Sequence, residues 1–294
     1  MRDLGLFEKR YLFQGKLVLG TALHLGGGRL AFVSTDAPLV RTPDGYPFIP
    51  GSSLKGVFRS TVEKIAGALP GVKTCLLDPN NNYGCIGPQG DAQRAFNKER
   101  QKNDWNTKEY CGQLHQKLCD TCKLFGSPFK ASKVNFDDLY LVDRDTAFTQ
   151  VRDGVGIDRD SERAVDGVKF DYEVVASGAE FNMKIMLENP TEMDLTLISI
   201  GLIEFQNGFV RLGGKTSSGL GSCKLEELNV YFLDLLPEVE EDEKIEVLSG
   251  RLKKYLLGSS LEDKMEQVND VSAFLKDKIE FLFREGSPDA QATC

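Results

Sequence analysis

The chain has 294 residues, of which 41% are hydrophobic and 27% charged, and its formal net charge at pH 7 is −8. This composition is typical of a globular protein and excludes a fibrous or disordered one. No apolar run approaches the ~18 residues that a membrane-spanning helix needs, and the first residues mix acids and bases where a signal peptide is apolar. We therefore expect a cytoplasmic protein without a membrane partner.

The counts of individual residue types restrict the possible sites. Two histidines, His24 and His115, are too few for most all-histidine metal sites or for a ribonuclease that uses a histidine pair. Seven cysteines are an odd number, which favours a metal site over a disulfide framework in a chain without an export signal. The acidic balance is unusual for a nucleic-acid-binding protein, so we consider the charge region by region.

The first half of the chain predicts strand, helix and strand around an insertion. Residues 11–25 alternate in polarity, which is typical of a long strand. After a loop punctuated by glycine and proline, residues 51–71 carry apolar side chains at helical spacing. A cysteine-bearing insertion occupies residues 70–132, and a strand pattern returns at 134–142.

The second half repeats this order. Residues 181–188 alternate as a strand, residues 192–206 predict a helix, and a further strand begins near Cys223 after a glycine-rich segment. Two β-α-β halves in tandem indicate an α+β fold, a ferredoxin-like βαββαβ sheet with helices on one face. Between the halves, the charged and glycine-rich residues 143–178 predict a projecting β-hairpin.

The net charge is concentrated in one segment. Residues 233–294 hold 15 of the 44 acidic and 8 of the 36 basic residues, a net charge of −7, which leaves −1 for residues 1–232. Spaced leucine and phenylalanine residues predict one or two amphipathic helices in this segment, and we expect its last residues to be disordered. We therefore divide the chain into a domain of residues 1–232 and an acidic helical tail.

Four cysteines near the ends of the insertion form the strongest metal motif: Cys75, Cys85, Cys119 and Cys122. The last two have the C-x2-C spacing with which two thiolates from one turn bind a tetrahedral Zn²⁺, and the first two could supply the other pair. A structural zinc would stabilise an insertion with few core residues. The alternatives are free thiols, a redox C-x2-C, or replacement of one ligand by Cys111 or His115.

The start of the predicted helix suits the capture of phosphate. Ser52 or Ser53 is expected to be its N-cap, and Lys55 and Arg59 follow at i, i+4 spacing. The free amides and the dipole of a helix N-terminus attract anions. A simple cap with solvated cations is the alternative. The S-x-x-K motif of penicillin-binding acyl enzymes is also present, but no S-D-N element accompanies it.

The glycine-rich segment at residues 213–221 suits close passage of a sugar-phosphate backbone. It is not an ATP-binding P-loop, because Lys215 comes one position late and the next segment predicts a strand instead of a helix. A flexible turn that needs positive φ angles is the alternative. Asp36 lies in the loop before the first helix, where a single carboxylate is usually a turn or solvent residue.

Four motifs, in the order GSSLKGVFRS, CDTCKLFGS, VGIDRD…FDYEVV and RLGGKTSSGLG, strongly resemble the RAMP superfamily over about residues 10–232. More narrowly, the chain resembles a repeating backbone subunit of a type III CRISPR effector complex. The resemblance implies a modified, RRM-like palm with a β-hairpin thumb at 143–178. It also implies binding of a CRISPR guide RNA (crRNA), beside other RAMP subunits and the large subunit of the complex.

The same resemblance implies that an aspartate before the first helix cleaves complementary target RNA. The matching position is Asp36, and Asp44 is the less favoured candidate. We expect Mg²⁺ or Mn²⁺ to assist it, with action as a base without metal as the alternative. A scaffold subunit without catalysis is the alternative function.

The resemblance also assigns the binding residues. Those matched to RNA contacts are Ser52, Ser53, Lys55, Arg59, Arg152, Arg159, Gly213, Gly214 and Lys215. The four cysteines resemble a zinc site of type III relatives.

Overall fold

The structure is a computed structural model, and it describes residues 6–27, 35–78, 80, 84–103, 105–146, 148–235 and 244–283. Within these ranges no helix has the length and the apolar character to cross a membrane. The strands are β1 (Lys9–Leu19), β2 (Val134–Phe136), β3 (Thr149–Ile157), β4 (Ala164–Val175), β5 (Glu180–Glu188), β6 (Cys223–Asp234) and β7 (Glu266–Gln267). The α-helices are α1 (Gly51–Ala66), α2 (Asp91–Lys102), α3 (Thr107–Lys117), α4 (Asp120–Phe125), α5 (Glu192–Gln206), α6 (Lys244–Leu257), α7 (Leu261–Lys264) and α8 (Val271–Glu280).

Five strands form one sheet in the order β2-β5-β1-β6-β7, and every neighbouring pair is antiparallel. Helix α1 connects β1 to β2, and α5 connects β5 to β6. The first four strands in this order therefore have the ferredoxin-like βαββαβ connectivity. The prediction of an α+β fold with this sheet is confirmed. Strands β3 and β4 form a separate hairpin where the sequence predicts one, and its role as a thumb stays a prediction.

The apolar faces of the sheet and of two helices form the main core. Strand β5 buries every second side chain, at Phe181, Met183, Ile185 and Leu187, as its alternation predicts. The Phe58 ring of α1 stacks on that of Phe205 in α5 at 5.7 Å between centroids. Gly201 permits this approach, because a Cβ there would lie 2.2 Å from Phe58 Cζ.

The N-terminus of α1 differs from the prediction of a serine N-cap. Pro50 is the N-cap, and its carbonyl accepts hydrogen bonds from the amides of Ser53 (2.9 Å) and Leu54 (3.1 Å). The amide of Gly51 donates to Asp138 Oδ1 at 2.7 Å, so a carboxylate distant in sequence satisfies the first free amide. Ser52 and Ser53 lie inside the first turn, and the prediction that one of them caps the helix was wrong.

The first strand is shorter than predicted. It ends at Leu19, and the following chain turns toward the hairpin, where Leu23 forms an isolated bridge with Val175. The pairing of β1 with β6 shifts register between Gln14 and Lys16, which marks a β-bulge. The bulge explains why Leu225 and Leu228, three residues apart, both contact the core.

Within its described residues the C-terminal segment forms three α-helices, α6, α7 and α8, where the sequence predicts one or two, and it packs on the rest of the fold. Leu275 of α8 is buried in the main core, and Thr196 Oγ1 of α5 donates to the Lys278 carbonyl at 2.7 Å. Strand β7 extends the sheet by pairing with β6. The division of the chain into a palm and a tail stays a prediction. The disorder expected at the end of the chain falls outside the described residues.

Candidate metal centre and RNA interface

The four predicted cysteines meet at one buried point. Cys75 follows α1, Cys85 precedes α2, Cys119 is the N-cap of α4 and Cys122 lies inside that helix. All four are buried, and their sulfur atoms lie within 4.8 Å of one another. A tetrahedral zinc with Zn–S bonds of about 2.3 Å places its sulfurs about 3.8 Å apart, so the group fits one such ion after small adjustments.

Neither of the two alternative ligands belongs to this group. Among the described residues the cluster consists of the four cysteines, and Cys111 and His115 lie on α3 outside it. Burial, followed by the charge of Lys123, lowers the pKa of His115. The structure therefore favours a site with four sulfur ligands over a mixed cysteine and histidine site.

Hydrogen-bond donors surround the sulfur atoms. The amides of Gly87 and Cys119 donate to Cys85 Sγ at 3.3 and 3.4 Å. The neighbouring thiols act on the pKa of Cys85 in both directions, Cys119 raising it and Cys122 and Cys75 lowering it, and the result is a value lowered to about 7. Donors aimed at sulfur favour the thiolate, which is the form that binds metal.

A small apolar cluster encloses the cysteines. Phe96 of α2 packs edge-on against Phe129 at 5.1 Å and near Trp105 at 5.7 Å between ring centroids. Four of the eight buried members of this cluster among the described residues are the cysteines themselves. Because so little apolar surface is available, a metal would contribute much of the stability of the insertion.

Arg59 lies beside the four cysteines, although the family resemblance matches it to an RNA contact. Its Nη2 donates to Cys122 Sγ at 3.3 Å, its Nη1 to the Gly126 carbonyl at 3.1 Å, and its Nε to Glu63 Oε1 at 2.8 Å. Its side chain is only 15% exposed. Lys55, one turn earlier, is partly exposed, and burial followed by the charge of Arg59 lowers its pKa.

Asp36 is exposed and lies beside β4 of the hairpin. Its amide donates to Asp171 Oδ1 at 2.7 Å, and its own Oδ2 accepts from the Asp171 amide at 3.0 Å. The next residue, Ala37, forms a parallel bridge with Tyr172. Asp44 is also exposed and lies 3.8 Å from Arg144, so the two candidate aspartates have different surroundings.

The glycine-rich segment reaches the same strand from the other side. Lys215 has a φ of 57°, and its Nζ lies 4.2 Å from the Phe170 ring centroid and 4.4 Å from that of Tyr172. The amide of Gly214 donates to the His24 carbonyl at 2.9 Å. Gly213 has a φ of 75°, and a Cβ there would lie 2.2 Å from the same oxygen, so packing alone requires this glycine.

Strand β4 thus brings together two regions that the sequence suggests only separately. Asp171 contacts Asp36, while its neighbours Phe170 and Tyr172 hold Lys215. The alternation in FDYEVV places the two aromatic side chains on one face of the strand and the acidic ones on the other. Residues 170–173 are not among the site residues predicted from the sequence, although this alternation could have indicated them.

The other residues matched to RNA contacts lie on the hairpin and on the first turn of α1. Arg152 lies in β3 directly opposite Tyr172, and its side chain is exposed. Arg159 is exposed in the turn of the hairpin. On α1, Ser52 is exposed and Ser53 partly so. The structure therefore leaves these polar groups accessible to a ligand, in contrast to Arg59.

The order of the strands in the main sheet fits the ferredoxin-like fold that the RAMP resemblance implies. The chain belongs to the RAMP superfamily, whose family model matches residues 16–224.

Within that class it is similar to proteins named CRISPR system Cms endoribonuclease Csm3. The protein from Enterococcus italicus is 28% identical over 211 residues, which cover 70% of this chain and 85% of the relative. Those from Methanocaldococcus jannaschii and Streptococcus thermophilus are 25% and 26% identical over 244 and 234 residues. These alignments cover 78% and 74% of this chain and 84% and 87% of the relatives. The resemblance to RAMP backbone subunits of type III CRISPR complexes is confirmed.

Proposed function

We propose that this protein is a crRNA-binding backbone subunit of a type III CRISPR effector complex and that it cleaves complementary target RNA. The carrying observation is the position of Asp36, an exposed carboxylate fixed against the hairpin by reciprocal hydrogen bonds with Asp171. The similarity to proteins named endoribonucleases supports the activity. Its partners are crRNA, target RNA, other RAMP subunits and the large subunit of the complex.

The binding groups suit recognition of an RNA backbone. Lys55 and the hydroxyls of Ser52 and Ser53 lie on the first turns of α1, and Arg152 and Arg159 lie on the hairpin. Such groups contact phosphate and sugar without reading the base sequence, which a subunit that carries any guide requires. Base pairing between guide and target then supplies the sequence specificity.

Gly213, Gly214 and Lys215 complete the proposed RNA surface beside the aromatic pair of β4. The Lys215 ammonium lies over two rings, which stabilise it through cation–π contacts and keep it at the base of the hairpin. Phe170 is exposed and Tyr172 is partly buried, and aromatic side chains beside cations are groups on which unstacked RNA bases can pack.

Asp36 is the proposed catalytic residue. Its carboxylate is exposed and uses Oδ2 for the Asp171 amide, so it can accept a proton from a ribose 2′-hydroxyl or bind a cation. Carboxylate oxygens of the kind present at Asp36 and Asp171 fit Mg²⁺ or Mn²⁺, which would act as a Lewis acid toward the scissile phosphate. The expected products are a 5′-hydroxyl and a 2′,3′-cyclic phosphate.

The four buried cysteines are proposed to hold one structural Zn²⁺. The chemistry of the donor set supports this metal, since a closed group of four thiolates is typical of structural zinc sites. In this position the metal would join the segment after α1, the segment before α2 and the helix α4 into one unit. Chelation should therefore destabilise the insertion before it affects the sheet.

Substitution of Asp36 tests the catalytic assignment in the assembled complex. Asp36→Asn removes the charge and keeps the side-chain shape, and we expect target cleavage to fall by about 10²-fold or more with crRNA binding unchanged. Asp44→Asn is the matched control and should cleave normally. Cleavage at the same positions by the Asp36→Asn complex would overturn the assignment of Asp36, and normal cleavage by a complex in which both Asp36 and Asp44 are replaced would support the scaffold alternative.

A further inference from the structure

We propose that Arg59 serves the metal centre and not the RNA: its guanidinium stabilises the Cys122 thiolate and fastens helix α1 to the insertion. This inference rests on the zinc site proposed above and changes the role that the family resemblance implies for Arg59.

The geometry of the guanidinium points to this role. Nη2 and Nη1 donate to Cys122 Sγ and to the carbonyl of Gly126, the residue that ends α4. Nε donates to Glu63, one turn further along α1, whose side chain is 8% exposed. The planar guanidinium spreads five N–H donors over three nitrogens and can reach three separated acceptors, whereas the three donors of a lysine all lie on one nitrogen. Arg59 therefore bridges a helix of the ferredoxin-like domain and the helix that carries two metal ligands.

The hydrogen bond from Arg59 to Cys122 also matters for the net charge of the proposed zinc site. Four thiolates around one divalent cation leave an excess of two negative charges, and such charge is costly to bury without partners. A guanidinium that donates to one of the sulfurs offsets part of this excess and makes a charge-assisted hydrogen bond. Nε of Arg59 keeps its hydrogen bond to Glu63 at 2.8 Å, so the guanidinium has a carboxylate partner of its own while it donates to the sulfur. The arginine therefore favours the metal-loaded state.

Binding of RNA by Arg59 would require these contacts to break. Its side chain would have to leave three acceptors, two of which belong to the buried residues Glu63 and Cys122. Acceptors left unpaired in a buried place cost more free energy than a surface contact to phosphate returns. Lys55 has no such network in the described structure and is more accessible, so it is the better candidate for the phosphate contact on α1.

The experiment uses the full-length protein, with Co²⁺ as the metal probe. Arg59→Gln removes the charge, and Lys55→Gln on the same helix is the matched control. We expect Arg59→Gln to weaken metal binding about 10- to 100-fold in a chelator competition. It should also move the sulfur-to-cobalt charge-transfer band and speed alkylation of the cysteines. Lys55→Gln should leave these three readouts unchanged and should weaken crRNA binding more than Arg59→Gln does.

The experiment can distinguish a failure of the role proposed for Arg59 from a failure of the zinc site on which it rests. Arg59→Gln should lower the thermal stability of the metal-loaded protein more than that of the metal-free protein, whereas a merely structural role would lower both equally. Wild-type metal affinity and an unchanged charge-transfer band in Arg59→Gln would overturn the role of Arg59 alone. A wild-type protein whose cobalt spectrum lacks four-thiolate bands would overturn the metal site itself, and the inference with it.

Discussion

Replacement of Gly87 by alanine tests how tightly the cysteine group is packed. A Cβ on Gly87 would lie 2.5 Å from Cys122 Sγ and 3.4 Å from Cys85 Sγ. Because non-bonded carbon atoms already prefer a separation of about 3.5–4.0 Å, the methyl group must displace Cys122 Sγ or its own backbone by roughly 1 Å. Metal–ligand distances tolerate only about 0.2 Å, so the substitution should disrupt the tetrahedral arrangement.

The expected effect of Gly87→Ala is weaker metal binding together with a loss of folding stability of similar size. We expect zinc binding to weaken by at least about 10-fold, since changes around the ligands of such sites cost this much. Overpacking should lower the free energy of unfolding by about 1–3 kcal/mol. Chelator competition measures the first quantity, and denaturation with and without chelator measures the second.

Gly112→Ala is the matched control in the same insertion. Gly112 lies in α3, and a Cβ there meets nothing within 4 Å. Zinc affinity should stay unchanged, and the helix should gain up to about 1 kcal/mol. Wild-type zinc affinity in Gly87→Ala would refute the reasoning, because the sulfur atoms would then not lie where a methyl group meets them.

Two further predictions concern the core and the pH dependence of the metal site. Gly201→Ala should lower the free energy of unfolding by about 1–3 kcal/mol, because its methyl group would meet Phe58 and push α1 away from α5. The control Gly56→Ala, whose methyl group lies in open space on α1, should not lower the free energy of unfolding. Equal denaturation midpoints for the two variants would contradict the prediction. Because the pKa of Cys85 is lowered to about 7, the contribution of its thiolate is complete above the ordinary thiol pKa and is lost as pH falls through about 7. The pKa values of Cys75 and Cys122 are raised, chiefly by their hydrogen bonds with Cys119, and these thiols must also lose their protons to bind metal. Zinc affinity should therefore rise with pH through the neutral and the ordinary thiol range, and a constant affinity in a dye-based titration would be the contrary result.

Local periodicity predicts the central elements of this fold well. The alternation at 181–188 and the apolar run at 192–206 match β5 and α5 almost residue by residue, because burial on the sheet imposes both patterns. The predicted first strand was too long, because the alternating pattern continues past Leu19, where the chain leaves the sheet. Periodicity therefore identifies a pattern of burial but not the element against which each residue packs.

Contacts between distant residues explain what the sequence could not predict at the sites. The N-cap prediction failed because Asp138, 87 positions from Gly51, binds the first amide of α1. The spacing of Lys55 and Arg59 correctly places both on one helix, yet Arg59 meets acceptors of α4 that only the folded insertion brings near. Asp171 likewise becomes part of the Asp36 region through pairing across 135 positions.

The acidic net charge does not contradict an RNA-binding surface, because some basic side chains are held in buried ion pairs while others stay exposed. Arg41 is paired with Glu173, Lys133 with Asp194 and Arg59 with Glu63, all on partly or fully buried side chains. These cations stabilise the fold and are not available to phosphate. Arg152 and Arg159, by contrast, are exposed on the hairpin. Affinity for a polyanion depends on such accessible cations, so a segment's net charge predicts an RNA surface only after its long-range ion pairs are known.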